Sequence, residues 1–342
     1  MTLRALLVAV TVTGCSSQGS NGTAKMAALV TWKAAWSNPL RSSLIVAGGV
    51  VVLREDGAVP RSTGVDPVSG KVRWRADALV ESPDEKTLYT VTSSEFEFVV
   101  NKIDPMSGQV TWSRRISRAS GLEYAVVLND LVLAIDRKHV RAVALADNAT
   151  LWDQSLPIDD HAWVRQWGAT ALFQTPYTAV AVDTGASQWH QTGCCVAAPL
   201  TDTRALLQQE GVVLVIAQGG KTVRSIPGKV VAAGAGGAVL EDSVGLRVYF
   251  ADSDQDVAIK LPGGPARGSV AFDHGFVYYT TVDGAVMEFD IRANTASEIR
   301  AATARSVPVD DDILVPPVVS HDRVYVSDDG WHAFDRSQPR PR

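Results

Sequence analysis

Adjacent cysteines, alternating aspartates and an acid–histidine run are the candidate reactive groups of this chain. Cys194-Cys195 would close a strained vicinal disulfide in an oxidising compartment, or stay as two packed thiols. Loop closure between neighbours adds little stability, so such a bond would act only locally. Asp252-Ser253-Asp254-Gln255-Asp256 has the alternating carboxylates that open a calcium loop. The sixth and twelfth positions, where that loop needs Gly and Glu, hold Val257 and Gly263, so a polar hairpin turn is expected instead. Asp159-Asp160-His161 could serve acid–base work. None of the six histidines sits with Ser or Cys in a nucleophile motif, and a solvated loop is expected there. His161, Trp163 and Trp167 would form a partner or sugar site if exposed, and packing between sheets if not. No Cys/His spacing suits zinc, no Cys-x-x-Cys-His suits haem, and no glycine-rich loop suits phosphate.

The third cysteine is more specific. Arg4 precedes the apolar run Ala5-Leu6-Leu7-Val8-Ala9-Val10, which continues to Val12 and ends in Val12-Thr13-Gly14-Cys15. The run is far below the ~20 residues that span a bilayer, and reads as a signal h-region. An aliphatic residue, small residues and then Cys resemble a bacterial lipobox. That resemblance implies cleavage after Gly14 and a lipid on the Cys15 sulfur. Ser16-Ser17-Gln18-Gly19-Ser20-Asn21-Gly22-Thr23 is small and polar, as a flexible tether should be. The expected organisation is a signal peptide at 1–14, a tether at 15–27 and one folded domain at 28–342. An ordinary secretory signal is the alternative. Two acyl chains anchor stably where one does not, since burial contributes ~0.8 kcal/mol per CH₂.

Those groups must be positioned by a sizeable core. The 342 residues are 46% hydrophobic and 20% charged with a formal charge of −5, ample for a globular protein. No basic patch marks a nucleic-acid partner. Asp310-Asp311-Asp312 is expected to be a solvated loop.

The core is organised by a repeat. Val65-Asp66-Pro67-Val68-Ser69-Gly70-Lys71-Val72-Arg73-Trp74 recurs as Ile103-Asp104-Pro105-Met106-Ser107-Gly108-Gln109-Val110-Thr111-Trp112. Degenerate copies end in Asn148-Ala149-Thr150-Leu151-Trp152 and Val182-Asp183-Thr184-Gly185-Ala186-Ser187-Gln188-Trp189. The Trp markers recur at about 40 residues, the period of a propeller or solenoid. Asp-Pro starts a turn whose amides the carboxylate can accept, and Gly70, Gly108 and Gly185 supply positive φ, with Asn148 in their place once. Val72 and Trp74, like Val110 and Trp112, are expected on one face of an outer strand, the indole covering the seam to the next sheet. Short strands punctuated by Gly48-Gly49, Gly219-Gly220, Gly236-Gly237 and Gly263-Gly264 fill the rest, and no amphipathic helix is evident. The second half keeps the rhythm without the Trp. Its last hairpin, Arg323–Ser327 with Trp331–Asp335, lacks an outer strand that 28–36 could supply. The expected fold is all-β: a single β-propeller of four-stranded blades, eight by this count and seven as the competing count, closed by N- and C-terminal strands.

An aliphatic-Asp-x-x-Ser/Thr-Gly-x-x-x-Trp segment once per blade resembles the PQQ-like repeat family, best over about residues 43–192. That family holds quinoprotein dehydrogenases and also cofactor-free proteins, among them the BamB-like propeller lipoprotein of the outer-membrane assembly machine. Lipobox, length and single propeller match the second group. Adjacent cysteines occur in some of the dehydrogenases, but no calcium-holding Glu/Asn/Asp set maps onto this chain. The resemblance thus implies a non-catalytic, membrane-tethered scaffold or adaptor in the bacterial envelope, exported, without cofactor, and partnered by envelope proteins. A lipoprotein holding a small molecule or glycan in the propeller channel is the alternative, and a PQQ-dependent dehydrogenase the second.

Overall fold

Runs of β-branched and aromatic residues between turn residues fold as strands throughout. The computed structural model describes residues 36–38, 43–55, 60–82, 86–117, 124–128, 130–135, 139–158, 164–174, 176–192, 196–300, 316–320, 323–327 and 331–336. Among these there is no helix; the strands form eight four-stranded sheets, the blades of an all-β propeller. Blade 1 comprises Ser43–Ala47, Val50–Glu55, Arg61–Val65 and Val72–Ala76, and blade 2 Val80–Glu81, Leu88–Ser93, Glu97–Ile103 and Val110–Ser117. Blade 3 comprises Tyr124–Leu128, Leu131–Ile135, His139–Ala144 and Thr150–Ser155, and blade 4 Val164–Trp167, Thr170–Gln174, Tyr177–Ala181 and Ser187–Gln191. Blade 5 comprises Ala197–Thr201, Arg204–Gln209, Val212–Ala217 and Thr222–Pro227, and blade 6 Lys229–Gly234, Gly237–Glu241, Leu246–Phe250 and Gln255–Ile259. Blade 7 is Pro265–Asp273, Phe276–Thr281, Val286–Asp290 and Thr295–Arg300.

Blade 8 is built from both ends of the chain. Val318–Val319, Arg323–Ser327 and Trp331–Asp335 are joined by Trp36–Asn38, with Trp36 opposite Ala333 and Asn38 opposite Trp331. Of the expected closing segment 28–36, Trp36 opens this strand, and residues 28–35 lie outside the described ones. Of the expected glycine turns, Gly48-Gly49, Gly219-Gly220 and Gly263-Gly264 hold, whereas Gly237 opens a strand.

Two compact units divide the chain. One holds Leu40–Ala197 with Ile216–Thr222; the other includes Ala198–Val215 and Val223–Arg342. In the first unit, apolar side chains of successive blades interlock. Leu133, Ile135 and Trp152 of blade 3 pack with Ala171 and Phe173 of blade 4, and Val50 and Trp74 of blade 1 pack with Leu88 and Ile103 of blade 2. In the second, Val239 and Val248 of blade 6 meet Val270, Phe272 and Phe289 of blade 7. With a sheet on either side, a strand such as Leu131–Ile135 is buried along its whole length, so the apolar run does not alternate.

The outer strands depart from the expected alternation. Trp74 is buried but Val72 is 45% exposed, and Val110 is 55% exposed. The register shifts between Gly64 and Val65, and again between Lys102 and Ile103. A bulge places two residues of the outer strand opposite one of its neighbour, and this turns Val72 and Val110 out of step with the indoles.

Candidate functional site at the repeat turns

Each repeat turn is held by its own polar residues. Asp66 Oδ1 accepts the Val68 and Ser69 amides at 2.9 and 2.7 Å and the Ser69 hydroxyl at 2.9 Å, while Arg73 donates to Oδ2. Asp104 repeats this with Met106, Ser107 and the Ser107 hydroxyl at 3.0, 2.7 and 2.8 Å. These donors, Ser69 and Arg73 foremost for Asp66 and Ser107 for Asp104, hold both carboxyls below the ordinary range. The turns end at Gly70 and Gly108, both with φ +69°, at Gly185 with +70°, and at Asn148 with +65°.

The turn of one blade receives the indole of the blade before. Trp74 Nε1 donates to Pro105 O at 2.8 Å, Trp152 Nε1 to Val182 O at 2.8 Å, and Trp189 Nε1 to Gln218 O at 2.9 Å. A methyl group on Gly108, Gly185 or Gly220 would lie 2.4, 2.5 or 2.3 Å from the ring of Trp74, Trp152 or Trp189. These glycines are required twice over, for φ and for contact. Trp112 faces the turn that carries Asn148. There the Arg114 guanidinium lies 5.4 Å from the Trp112 ring centroid and donates to Leu145 O and Ala146 O, and Asn148 donates back to Arg115 O at 3.0 Å.

Asp183 corrects the expected motif. In blade 4 the residue whose carbonyl accepts the Gly185 amide is Ala181, as Asp66 accepts from Gly70 and Ala144 from Asn148. Asp183 therefore stands where blade 1 has Val68, and is exposed. Thr184, whose hydroxyl accepts the Ala186 amide, takes the Ser69 role.

Blade 5 has Arg224 four residues after its turn Gly220, where earlier blades have Trp. Arg224 donates to Asp254 O and pairs with Asp256, with its guanidinium 5.9 Å from the Tyr249 ring centroid. Arg247 closes the network on Asp256 at 2.6 Å and Asp242 at 3.1 Å, and Tyr249 donates to Asp254 at 2.9 Å. Burial and the Asp254 acceptor push the Tyr249 hydroxyl above its ordinary range. The Asp252–Asp256 run is thus a turn through Asp254, at φ +54°, that passes into the outer strand at Gln255, with the Asp256 carboxylate engaged by two guanidiniums. Arg224 carries no indole to mark it in the sequence, yet it supplies the same donor to the next turn.

Blades 7 and 8 hold a second polar cluster. Arg336 pairs with Asp273 at 2.9 Å, with both side chains nearly inaccessible, and donates to Ser320 O at 3.1 Å. The guanidinium lies over Phe276 and Tyr278 at 5.8 and 5.5 Å. His274 Nδ1 lies 2.9 Å from the other Asp273 oxygen, on a turn with φ +45°. Burial, then the Glu288 charge, raises the Tyr278 hydroxyl, and burial raises the Glu81 carboxyl of blade 2. Among the described residues, no three or more His, Cys, Asp and Glu converge to hold a metal.

Of the remaining candidates, Trp167 is 1% exposed and offers no open aromatic surface. Cys15, Asp159, Asp160, His161, Trp163, Cys194, Cys195 and Asp310–Asp312 lie outside the described residues.

Comparison with known proteins agrees with this geometry. Residues 25–156 match a PQQ-type family model described as outer membrane protein assembly factor BamB. No curated protein sequence matches the chain. BamB from Moraxella catarrhalis superposes with a TM-score of 0.57 at 13% identity, over 90% of this chain and 100% of that one. Apo AztD from Citrobacter koseri gives 0.51 at 13%, over 83% and 88%. The dihydro-heme d1 dehydrogenase NirN in complex with DHE gives 0.51 at 14%, over 76% and 66%. At these identities the structures share the fold alone, while the repeats of residues 25–156 are of the BamB-like, PQQ-like kind.

Proposed function

We propose that this chain is a non-catalytic, membrane-tethered propeller that works as a protein-interaction scaffold in the bacterial cell envelope. One observation carries the reading: the recurring polar and aromatic groups of the repeat are engaged in holding turns and blades together. Asp66 through both oxygens and Asp104 through Oδ1 are engaged within their own repeat segments, and the Trp74, Trp152 and Trp189 indoles donate to the next turn. A frame so built is rigid and leaves its loops and outer strands for recognition. The match of residues 25–156 to the BamB family supports an envelope role. In this reading residues 1–14 are a signal peptide, Cys15 carries the lipid, 15–27 are the tether, and the partners are envelope proteins.

The test is a crosslinking pull-down from membranes of the native cell, comparing the wild type with Cys15→Ala. The scaffold reading expects a discrete envelope complex that the variant loses. Free, soluble behaviour of both forms would sink it. A second reading, a propeller holding a small ligand, draws on NirN, whose structure contains DHE. It expects a ligand to copurify with both forms, and a PQQ-dependent enzyme would be stabilised by added quinone and calcium.

A further inference from the structure

We propose that the outer edge of blades 1 and 2 docks an extended segment of a partner protein in which apolar and acidic residues alternate. This deepens the scaffold reading and rests on it. Val68, Val72, Met106 and Val110 are 68%, 45%, 59% and 55% exposed. They occupy two repeat positions, two residues before and two residues after the turn glycine. Blades 3 and 4 place Ala146 and Asp183, and Thr150 and Ser187, at the same two positions, all exposed. The repeat therefore neither buries these positions nor needs them apolar, and the four large apolar side chains of blades 1 and 2 answer to something other than the fold. The two sets are contiguous, since Arg73 of blade 1 reaches the Met106 sulfur of blade 2 at 2.8 Å.

Charge selects the occupant. The outer strands Val72–Ala76 and Val110–Ser117 carry four arginines and no acid, whereas Thr150–Ser155 and Ser187–Gln191 carry Asp153 and no Lys or Arg. Arg73 and Arg115 are paired with Asp66 and Glu97, which leaves Arg75 and Arg114 without a carboxylate among the described residues. Arg75 and the adjoining Lys71 are exposed beside the apolar row. Asp66 is neutralised by Arg73 and Glu97 by Arg115, while Asp104 is held through Oδ1 by its own turn and is the one nearby carboxylate among the described residues for which no cation partner is seen. A second copy of this basic edge would be repelled. Val72–Ala76 and Val110–Ser117 are also the last strands of their sheets, so half of their backbone groups face outward without a ladder partner. An added strand satisfies those groups and a lipid surface does not, which favours an extended protein segment over an anionic membrane.

The experiment places a photo-crosslinking amino acid in the full chain, in native membranes, at Val72 or Val110, and at Thr150 or Ser187 as controls. The expected result is a protein adduct at the first two positions, at least about tenfold above the controls. The crosslinked partner peptide should alternate apolar and acidic residues. Lys71→Glu with Arg75→Glu should reduce the adduct about tenfold. So should Val68→Asp, Val72→Ser, Met106→Ala and Val110→Thr combined, each a residue or close match that blades 3 and 4 already accommodate at that place. An unchanged near-ultraviolet circular dichroism spectrum checks that the fold is intact. Equal adducts at all four sites, adducts only to lipid or to a second copy, a basic partner segment, or indifference to the charge reversal would each overturn the proposal. Were the Cys15-dependent complex still recovered, the scaffold reading would survive that failure; loss of both would end both.

Discussion

Asp66 accepts donors from Val68, Ser69 and Arg73, and they hold its carboxyl below the ordinary carboxylate range. A carboxyl depressed on folding adds stability that is present above its unfolded pKa of about 3.9 and is lost as the pH falls towards the folded value. Asp66→Asn should therefore lower the urea midpoint at pH 7, and the gap to wild type should narrow below about pH 4. A gap that does not depend on pH would mean the carboxylate charge is not what the turn uses. Glycine offers a second comparison. Gly49 and Gly108 both have positive φ, but a methyl on Gly49 meets nothing within 4 Å, whereas on Gly108 it meets Trp74 at 2.4 Å. Gly49→Ala should cost about 1–2 kcal/mol from backbone strain alone, and Gly108→Ala about 1–3 kcal/mol more. Equal losses in denaturant titrations would mean that the indole gives way freely.

Between blades, the recurring unit is a flat donor reaching the next turn's carbonyl. Trp74→Phe keeps the ring but removes the bond to Pro105 O, and should cost about 1–2 kcal/mol, read from the urea midpoint. Arg224→Lys should cost a similar amount despite keeping the charge, because a single ammonium cannot bridge Asp254 O and Asp256 as the fork does. A neutral Arg224→Lys would remove Arg224 from the docking role. This interaction explains what could be read from the chain and what could not. Four repeats announce themselves because they share one rare residue type at one spacing. Blade 5 does the same work with a guanidinium, and a search by residue type passes over it. Asp183 misleads in the opposite way: it matches by type, yet sits two residues out of place. The position relative to the left-handed turn residue, not the residue type, sets the role. Val72 and Val110 show the same limit, since a bulge at Arg73 and Thr111 in their own strands decides their face, and neither residue type announces a bulge.

At the scale of the molecule, the sequence pattern carries the blade number and the joining of both chain ends in one sheet, because turn residues and strand runs recur at a fixed period. The closing strand Trp36–Asn38 begins at the last residue of the expected 28–36, and three residues pairing with the last hairpin leave only a short pattern from which to read its bounds. The Asp273–Arg336 pair was not legible at all: sixty-three positions apart, the partners meet only through packing of blades 7 and 8. Arg336→Ala would take the guanidinium from the buried Asp273 carboxylate, leaving His274 beside its other oxygen, and should cost about 3–5 kcal/mol. Thermal unfolding measures it, and Asp273→Ala with Arg336→Ala should recover part of the loss. No recovery would indicate that Arg336 acts by packing on Phe276 and Tyr278 instead. A tethered scaffold is tested by the native mass of the particle that carries the chain after mild detergent extraction of its own membranes. A defined assembly containing another envelope protein in fixed proportion is the predicted result. The chain alone in its micelle, at every detergent mild enough to spare other envelope complexes, would contradict it.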